Sequence, residues 1–186
     1  GDRADTAEIA KQVIVAFEGF DYIVAPSGSC AGMLSKHYQE LFAGVQVWEE
    51  RSLAFAAKVH ELVSFLTDVM DVQSVRAKLN ATVTYHDSCA GLRELGIKAQ
   101  PRKLLESVEG LELKEMHNAN VCCGFGGTFA VKYSDISNAI VTEKAGNIDK
   151  AEADLLLAGD LGCLLNMAGK LRRSGSKTEV RHVAEV

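Results

Sequence analysis

The fold class is decided by residues 154–163, with the sequence DLLLAGDLGC. The first five residues predict a short buried strand, because an apolar run of this length is typical of a strand that is covered on both faces. The next four residues predict a turn, and Cys163 begins a helical segment that continues to Arg173. A strand that leads through a tight turn into a helix is half of a β–α–β unit, and such units form parallel sheets.

A second copy of this pattern lies near the start of the chain. Residues 21–30 (DYIVAPSGSC) also give Asp, three apolar residues, Ala, a four-residue turn and Cys, at an offset of 133 residues. A helical segment precedes each copy. The match predicts a duplicated unit related by a pseudo-twofold axis. We expect residues 1–47 to be the C-terminal part of a truncated first repeat, 48–80 a linker helix region, and 81–186 the complete second repeat.

Strand and helix patterns alternate along the rest of the chain. Strands are predicted at 21–25, 82–85, 111–116, 154–158 and 179–183, and the main helices at 6–18, 31–43, 48–70, 135–149 and 163–173. Strands separated by helices pair in parallel through right-handed crossovers. The predicted fold class is therefore α/β, with parallel-sheet units and flanking helices.

Composition excludes several classes of function. The chain has 186 residues, 47% of them hydrophobic, and a net charge of −5, which argues against nucleic-acid binding. No apolar run approaches the roughly 20 residues of a membrane span, so no transmembrane segment is expected. The odd number of cysteines, without a secretory signal pattern at the start, is typical of a cytoplasmic protein.

Four of the five cysteines form a single–pair–single array. Cys89 is separated by 32 residues from the adjacent Cys122 and Cys123, and 39 more residues separate the pair from Cys163. Disulfide frameworks and zinc fingers seldom show such spacing. Distant thiolates that a fold brings together usually hold a metal or an iron–sulfur cluster. Cys30 belongs to the first copy of the pattern, and we expect it to be the remaining cysteine of a second, truncated site and a candidate metal ligand there.

The surroundings of the cysteines favour thiolate chemistry. Most of them follow a predicted strand, at the sheet edge where α/β proteins bind ligands. Gly124, in the run CCGFGG, allows the backbone to approach a cluster and donate N–H bonds to sulfur. The side chains of adjacent cysteines normally point apart. A multi-iron cluster, in which each cysteine binds a different iron, therefore suits the pair better than a single zinc ion does.

Other interpretations remain open for these residues. Cys30 could equally be a small apolar residue in the core. His86 and Asp87 could tune or replace a ligand, but a half-buried strand end for His86 and a helix cap from Asp87 or Ser88 are favoured. A zinc-stabilised assembly module, or a thiol enzyme that uses Cys122 or Cys123 as nucleophile, would also explain the array.

Three segments resemble a known family. HDSC followed by GLRELG, then VCCGFGGTFAVKY, then AGDLGCLLNMAGKL, are similar to the cysteine-rich CCG domain. This domain occurs in a subunit of heterodisulfide reductase, in glycolate oxidase iron–sulfur subunits and in lactate-utilisation A proteins, which the chain resembles most. The resemblance implies that Cys89, Cys122, Cys123 and Cys163 are the metal ligands, with Gly124 beside the cofactor. Asp160 stands where the family often has a further cysteine, and a helix N-cap is its expected role.

The resemblance also implies a function. The expected role is an iron–sulfur electron-transfer subunit of a cytoplasmic oxidoreductase complex that oxidises L-lactate to pyruvate, or glycolate, together with sister iron–sulfur subunits. A cluster of the 4Fe-4S type is the expected cofactor, with zinc as the alternative and an empty site expected in many purified samples. A heterodisulfide-reductase-like thiol/disulfide redox protein is a further alternative.

Overall fold

Two parallel sheets, one of two strands and one of four, form the framework of the chain. They are seen in a computed structural model that describes residues 2–186. The strands are β1 (Ile23–Ala25), β2 (Val59–Glu61), β3 (Lys78–His86), β4 (Glu109–Leu113), β5 (Leu155–Ala158) and β6 (Glu179–His182). The predicted α/β class with parallel strands and flanking helices is confirmed.

Ten α-helices lie within the described residues, and several are single turns. They are α1 (Arg3–Phe17), α2 (Gly28–Gly32), α3 (Tyr38–Phe42), α4 (Gln46–Ala56), α5 (Leu62–Ser64), α6 (Cys89–Arg93), α7 (Ala99–Glu106), α8 (Thr128–Lys132), α9 (Ser134–Lys150) and α10 (Leu161–Ser174). Two π-helical turns, Met33–His37 and Phe65–Val69, continue α2 and α5, and a 3-10 turn, Val183–Glu185, follows β6.

Strand β5 is the centre of the larger sheet, whose order is β4-β3-β5-β6. All four of its residues are buried, because helices cover both faces. Leu156 and Ala158 point into a core that is shared with α9 and α10. Leu155 and Leu157 point the other way, into a core shared with β3 and α7. This explains why an uninterrupted apolar run, and not an alternating one, identifies the strand.

The smaller sheet repeats part of this arrangement. β1 pairs in parallel with β2, with Ile23 opposite Val59, as β5 pairs with β6, with Leu155 opposite Glu179. In both places a strand leads through a tight turn into a helical segment and returns as a parallel neighbour. This shared order agrees with the sequence match, although the predicted repeat and its boundaries at residues 47 and 80 stay predictions.

The single helix predicted over residues 48–70 is wrong. α4 ends at Ala56, and the chain then forms β2 before it turns helical again. Val59 is buried beside β1, and the carboxylate of Glu61 starts the next helix by accepting hydrogen bonds from the backbone N–H groups of Val63 and Ser64. Pairing with β1 and this new cap override a helical periodicity that continues through the whole segment.

None of the helices formed by residues 2–186 has both the length and the apolar character that crossing a bilayer requires.

The burial of β5 leads to a stability prediction. Replacing Leu156 by Ala should lower the free energy of unfolding by about 2–5 kcal/mol, because its fully buried side chain would leave a cavity between β5 and α9–α10. Leu165→Ala is the matched control, since Leu165 is 72% exposed on α10 and should change stability by less than about 0.5 kcal/mol. Urea unfolding measures the free energy of unfolding of both variants. Equal losses of stability in the two would contradict the assignment of this core.

Candidate metal centre

The cysteines meet at the carboxyl ends of β3 and β5. Cys89 begins α6 just after β3, and Cys163 lies in the first turn of α10 just after β5. Because neighbouring parallel strands end at the same edge, two residues 74 positions apart in the chain come close together. The loop with Cys122 and Cys123 lies over this edge.

Side-chain hydrogen bonds hold that loop in place. The amide of Asn166 on α10 donates to the carbonyl oxygen of Cys123 over 2.9 Å, and the hydroxyl of Ser137 on α9 donates to that of Gly124 over 2.8 Å. Gly124 has φ +83°, and a Cβ there would lie 2.7 Å from the carbonyl oxygen of Ser137. Only glycine fits this position without strain, so the predicted importance of Gly124 has a geometric reason.

A second close approach closes the loop against α10. A Cβ on Gly162 would lie 2.4 Å from the ring of Phe125. The glycine before Cys163 therefore lets the ring of Phe125 come close to the start of the helix.

All four predicted ligands line one cavity of about 390 Å³. This volume far exceeds the roughly 30 Å³ that a water molecule occupies in the liquid. Its other walls come from both halves of the chain: Ser29, Ser88, Ala90, Glu94, Phe125, Gly126, Gly127 and Asp160. Cys30 is exposed on α2 and does not line it.

The vicinal cysteines face different partners within the cavity. The thiol of Cys122 lies beside Cys89, and the pKa of Cys89 rises to about 11 because burial and this neighbour oppose its ionisation. The thiol of Cys123 lies beside Cys163, whose hydrogen bond lowers the pKa of Cys123 to about 5 although burial opposes the shift. The same contact raises the pKa of Cys163. A cation that binds among these sulfurs would therefore have to displace protons from Cys89 and Cys163.

Two of the thiols are well protected from water. Cys123 is 1% exposed and Cys163 is 9% exposed, whereas Cys89 and Cys122 are half-buried at the mouth. The backbone N–H of Gly124 points to the sulfur of Cys122 over 3.3 Å. An N–H···S contact of this kind stabilises negative charge on sulfur.

His86 belongs to the site, contrary to the favoured interpretation as a half-buried strand end. Its side chain is completely buried at the end of β3. One of its ring nitrogens and the sulfurs of Cys123 and Cys163 lie within 4.8 Å of one another. The signal in the sequence was the position of His86 at a strand end, three residues before Cys89.

Asp87, the residue after His86, has a different role. Its carboxylate is buried in an ion pair with Arg102, at 2.8 Å, and Arg102 also contacts Glu115. The helix cap after β3 comes from the hydroxyl of Ser88, which accepts from the N–H of Gly91. Asp87 is therefore part of the scaffold that fixes the end of β3.

Sequence reasoning missed Lys144 altogether. Lys144 lies on α9 and is 2% exposed, and its ammonium group donates to the backbone carbonyl oxygens of Asn118 and Ala119 at 2.5 and 3.4 Å. Burial lowers the pKa of Lys144, while the nearby sulfurs of Cys123, Cys122 and Cys89 oppose that shift. A buried cation whose hydrogen bonds go to neutral carbonyls fits an anionic group in the adjacent cavity.

Asp160 has the expected N-cap role and a further one. One carboxylate oxygen accepts from the N–H of Cys163 over 3.3 Å, and the other accepts from the hydroxyl of Ser27 and the N–H of Ser29 at 2.9 and 3.0 Å. Burial would raise the pKa of Asp160, but these hydrogen bonds outweigh it and the pKa is lowered. With its oxygens committed in this way, Asp160 is an organiser of the cavity wall.

Comparison with known proteins places this site in a family. Residues 83–168 match the family described as CCG, cysteine-rich domain. The chain is 50% identical over 182 residues to lactate utilization protein A of Geobacillus kaustophilus, covering 98% of this chain and 76% of that protein. The chain belongs to the lactate utilization protein A family. It is also 47% identical over 186 residues to lactate utilization protein A 2 of Bacillus cereus (strain Q1), covering the whole chain and 77% of that protein.

The resemblance noted from the sequence is thus confirmed for the family and for the cysteine-rich domain. The matched range includes Cys89, Cys122, Cys123 and Cys163 and excludes Cys30. The residues fit a thiolate-bound metal group, because four sulfurs, a buried cation and a large cavity occur together. Ligation by the four cysteines stays a prediction.

The double role of Asp160 can be measured with a double-mutant cycle. Ser27→Ala and Asp160→Ala should each destabilise the chain, with Asp160→Ala costing about 1.5–3 kcal/mol because it leaves buried donors without an acceptor. Their effects should be non-additive, with a coupling energy of about 0.5–3 kcal/mol. Urea unfolding of the parent, both single variants and the double variant gives the coupling, and additive effects would show that the contact between the halves contributes nothing.

Proposed function

We propose that this chain binds an iron–sulfur cluster through Cys89, Cys122, Cys123 and Cys163 and transfers electrons during the oxidation of lactate. The observation that supports this most strongly is the convergence of all four sulfurs on one cavity. Such a cavity would accommodate a multi-iron group, and Cys89, Cys122, Cys123 and Cys163 are the residues that would hold it. The 4Fe-4S type is the form that we propose for it.

The residues around the cavity suggest how such a group would work. When bound, an iron–sulfur cluster supplies a site that accepts and releases single electrons. Cys123 and Cys163 would hold it on the side that is closed to water, and Cys89 and Cys122 on the side that reaches the mouth. This arrangement places the half-buried edge toward solvent, where a redox partner can approach.

The proposed reaction is the conversion of L-lactate to pyruvate, which releases two electrons and two protons. Relatives that are named for lactate utilization support this substrate in preference to glycolate. An electron relay carries only the electrons, so the hydroxy acid itself would be oxidised on another subunit. We therefore propose sister iron–sulfur subunits as partners, and a cytoplasmic complex.

A second candidate function is structural zinc binding. It is favoured by the close spacing of His86, Cys123 and Cys163, whose donor atoms lie within 4.8 Å of one another, as the ligands of one tetrahedral ion would. Four cysteines in a cavity of about 390 Å³ still fit a larger group better.

Anaerobic reconstitution distinguishes the two. After incubation with iron and sulfide, the wild-type chain should contain both elements and develop a visible absorption band, as measured by metal and acid-labile sulfide analysis. Cys123→Ser should lose most of the iron, because a buried ligand is replaced by a hydroxyl. Cys30→Ser is the matched control and should retain the wild-type content, since Cys30 lies outside the cavity. Stoichiometric zinc without iron or sulfide would overturn the proposal in favour of the second candidate.

The positive charge of Lys144 leads to an independent prediction about the reduction potential of the bound cluster. Lys144→Met should lower the reduction potential of the reconstituted protein, since a nearby positive charge favours the reduced, more negative state. Loss of about 1 kcal/mol of charge interaction corresponds to roughly 40 mV for one electron. Lys150→Met, on the exposed end of the same helix, is the control and should change the potential by much less. Redox titration that followed the visible band would measure both variants, and equal potentials would exclude this role.

A further inference from the structure

One ring nitrogen of His86 is left without a partner inside the protein. Nδ1 lies 3.2 Å from the carbonyl oxygen of Ala119, and a carbonyl only accepts, so Nδ1 carries the proton and donates it. Nε2 is then unprotonated, with a lone pair. This atom is buried and makes no hydrogen bond within the described chain. An unsatisfied buried acceptor is costly, so the position of Nε2 requires an explanation.

The surroundings of Nε2 restrict the explanations to two. One ring nitrogen of His86 and the sulfurs of Cys123 and Cys163 lie within 4.8 Å of one another. The lone pair could accept an S–H hydrogen bond from one of them, or it could bind a metal beside them.

The opposite side of the ring favours the metal. Histidine ligands typically donate their second N–H to a carbonyl or carboxylate, which fixes the tautomer and the orientation of the ring. The Ala119 carbonyl oxygen that accepts from His86 also accepts from the N–H of Asp87 and from the ammonium of Lys144, at 3.2 and 3.4 Å. The ring is therefore oriented by a fixed acceptor and has little freedom to turn Nε2 away from the sulfurs.

We propose that His86 is a nitrogen ligand of the metal group, through Nε2, beside the thiolates of Cys123 and Cys163. This inference rests on the proposed function, because it assumes that a metal group occupies the cavity. It applies equally whether that group is an iron–sulfur cluster or a single metal ion. It adds a neutral donor to the anionic sulfurs. A neutral ligand lowers the total negative charge of the site, and this makes the bound metal easier to reduce than with a further thiolate.

The experiment uses Co²⁺ alone, added anaerobically to the reduced chain. Proton NMR of the wild-type complex should show one paramagnetically shifted, exchangeable signal from the Nδ1–H of His86, which the Ala119 carbonyl protects. This readout needs no substitution. Thiolate-to-cobalt absorption without such a signal would overturn the proposal, and so would a failure of Co²⁺ to bind.

Matched variants test the same ligand by affinity. His86→Gln should weaken Co²⁺ binding at least about tenfold and abolish the shifted signal. His117→Gln is the control, because His117 is exposed and should retain wild-type affinity and the signal. His86→Cys, which restores a donor, should recover more affinity than His86→Gln, as a packing role alone would not predict.

The cobalt result is separable from the proposed function. Absence of iron and sulfide after reconstitution, together with a histidine signal in the cobalt complex, would refute the cluster and retain the ligand. The reverse combination, a cluster without the histidine signal, would retain the proposed function and refute the role of His86.

Discussion

The site depends on the buried carboxylate of Asp160. It begins α10, and so it fixes where Cys163 lies relative to β5. The same carboxylate accepts two hydrogen bonds from the turn after β1, so the cavity wall at Ser29 depends on it as well. Hydrogen bonds to a buried charge are stronger than those between neutral groups, because little water competes for them. One side chain thus couples the position of a ligand to the docking of the smaller sheet.

Electrostatic balance is the second constraint on this site. Thiols that lie close together and are partly buried resist simultaneous ionisation, and the pKa values of Cys89 and Cys163 are raised accordingly. The buried ammonium of Lys144 lies near enough to the sulfurs to interact with their charge. Each group is costly in isolation, and a bound cation among the sulfurs would relieve the repulsion between them. Metal binding and folding are therefore expected to be linked here.

The sequence was sufficient for the features that depend on local patterns. The apolar run at 155–158 identified the central strand, and the spacing of the cysteines identified four residues that line one cavity. The sequence was insufficient where tertiary contacts determine the secondary structure. Residues 59–61 have a helical pattern but pair with β1, and only the folded chain shows that β1 is available to them.

The same limit applies to His86 and Lys144. The role of His86 depends on the carbonyl of Ala119, which lies 33 residues away in the chain. Lys144 lies on a mostly polar helix and has no pattern that separates it from exposed lysines, until α9 is seen to bury it against the loop before Cys122. Both residues contact the irregular segment that contains Asn118 and Ala119, and sequence patterns predict little about the structure of such a segment.

The contact between Ser27 and Asp160 has a consequence for how such a chain could arise. The two positions are equivalent in the sequence match, since they are 133 residues apart, and they touch each other. In a symmetric pair of identical units, a residue at this position would face its own copy. Two aspartates would repel, and two serines would leave the helix that contains Cys163 without its anionic cap. A donor on one side and an acceptor on the other are available only to halves that have diverged, so this contact favours one fused chain over a dimer of equal halves.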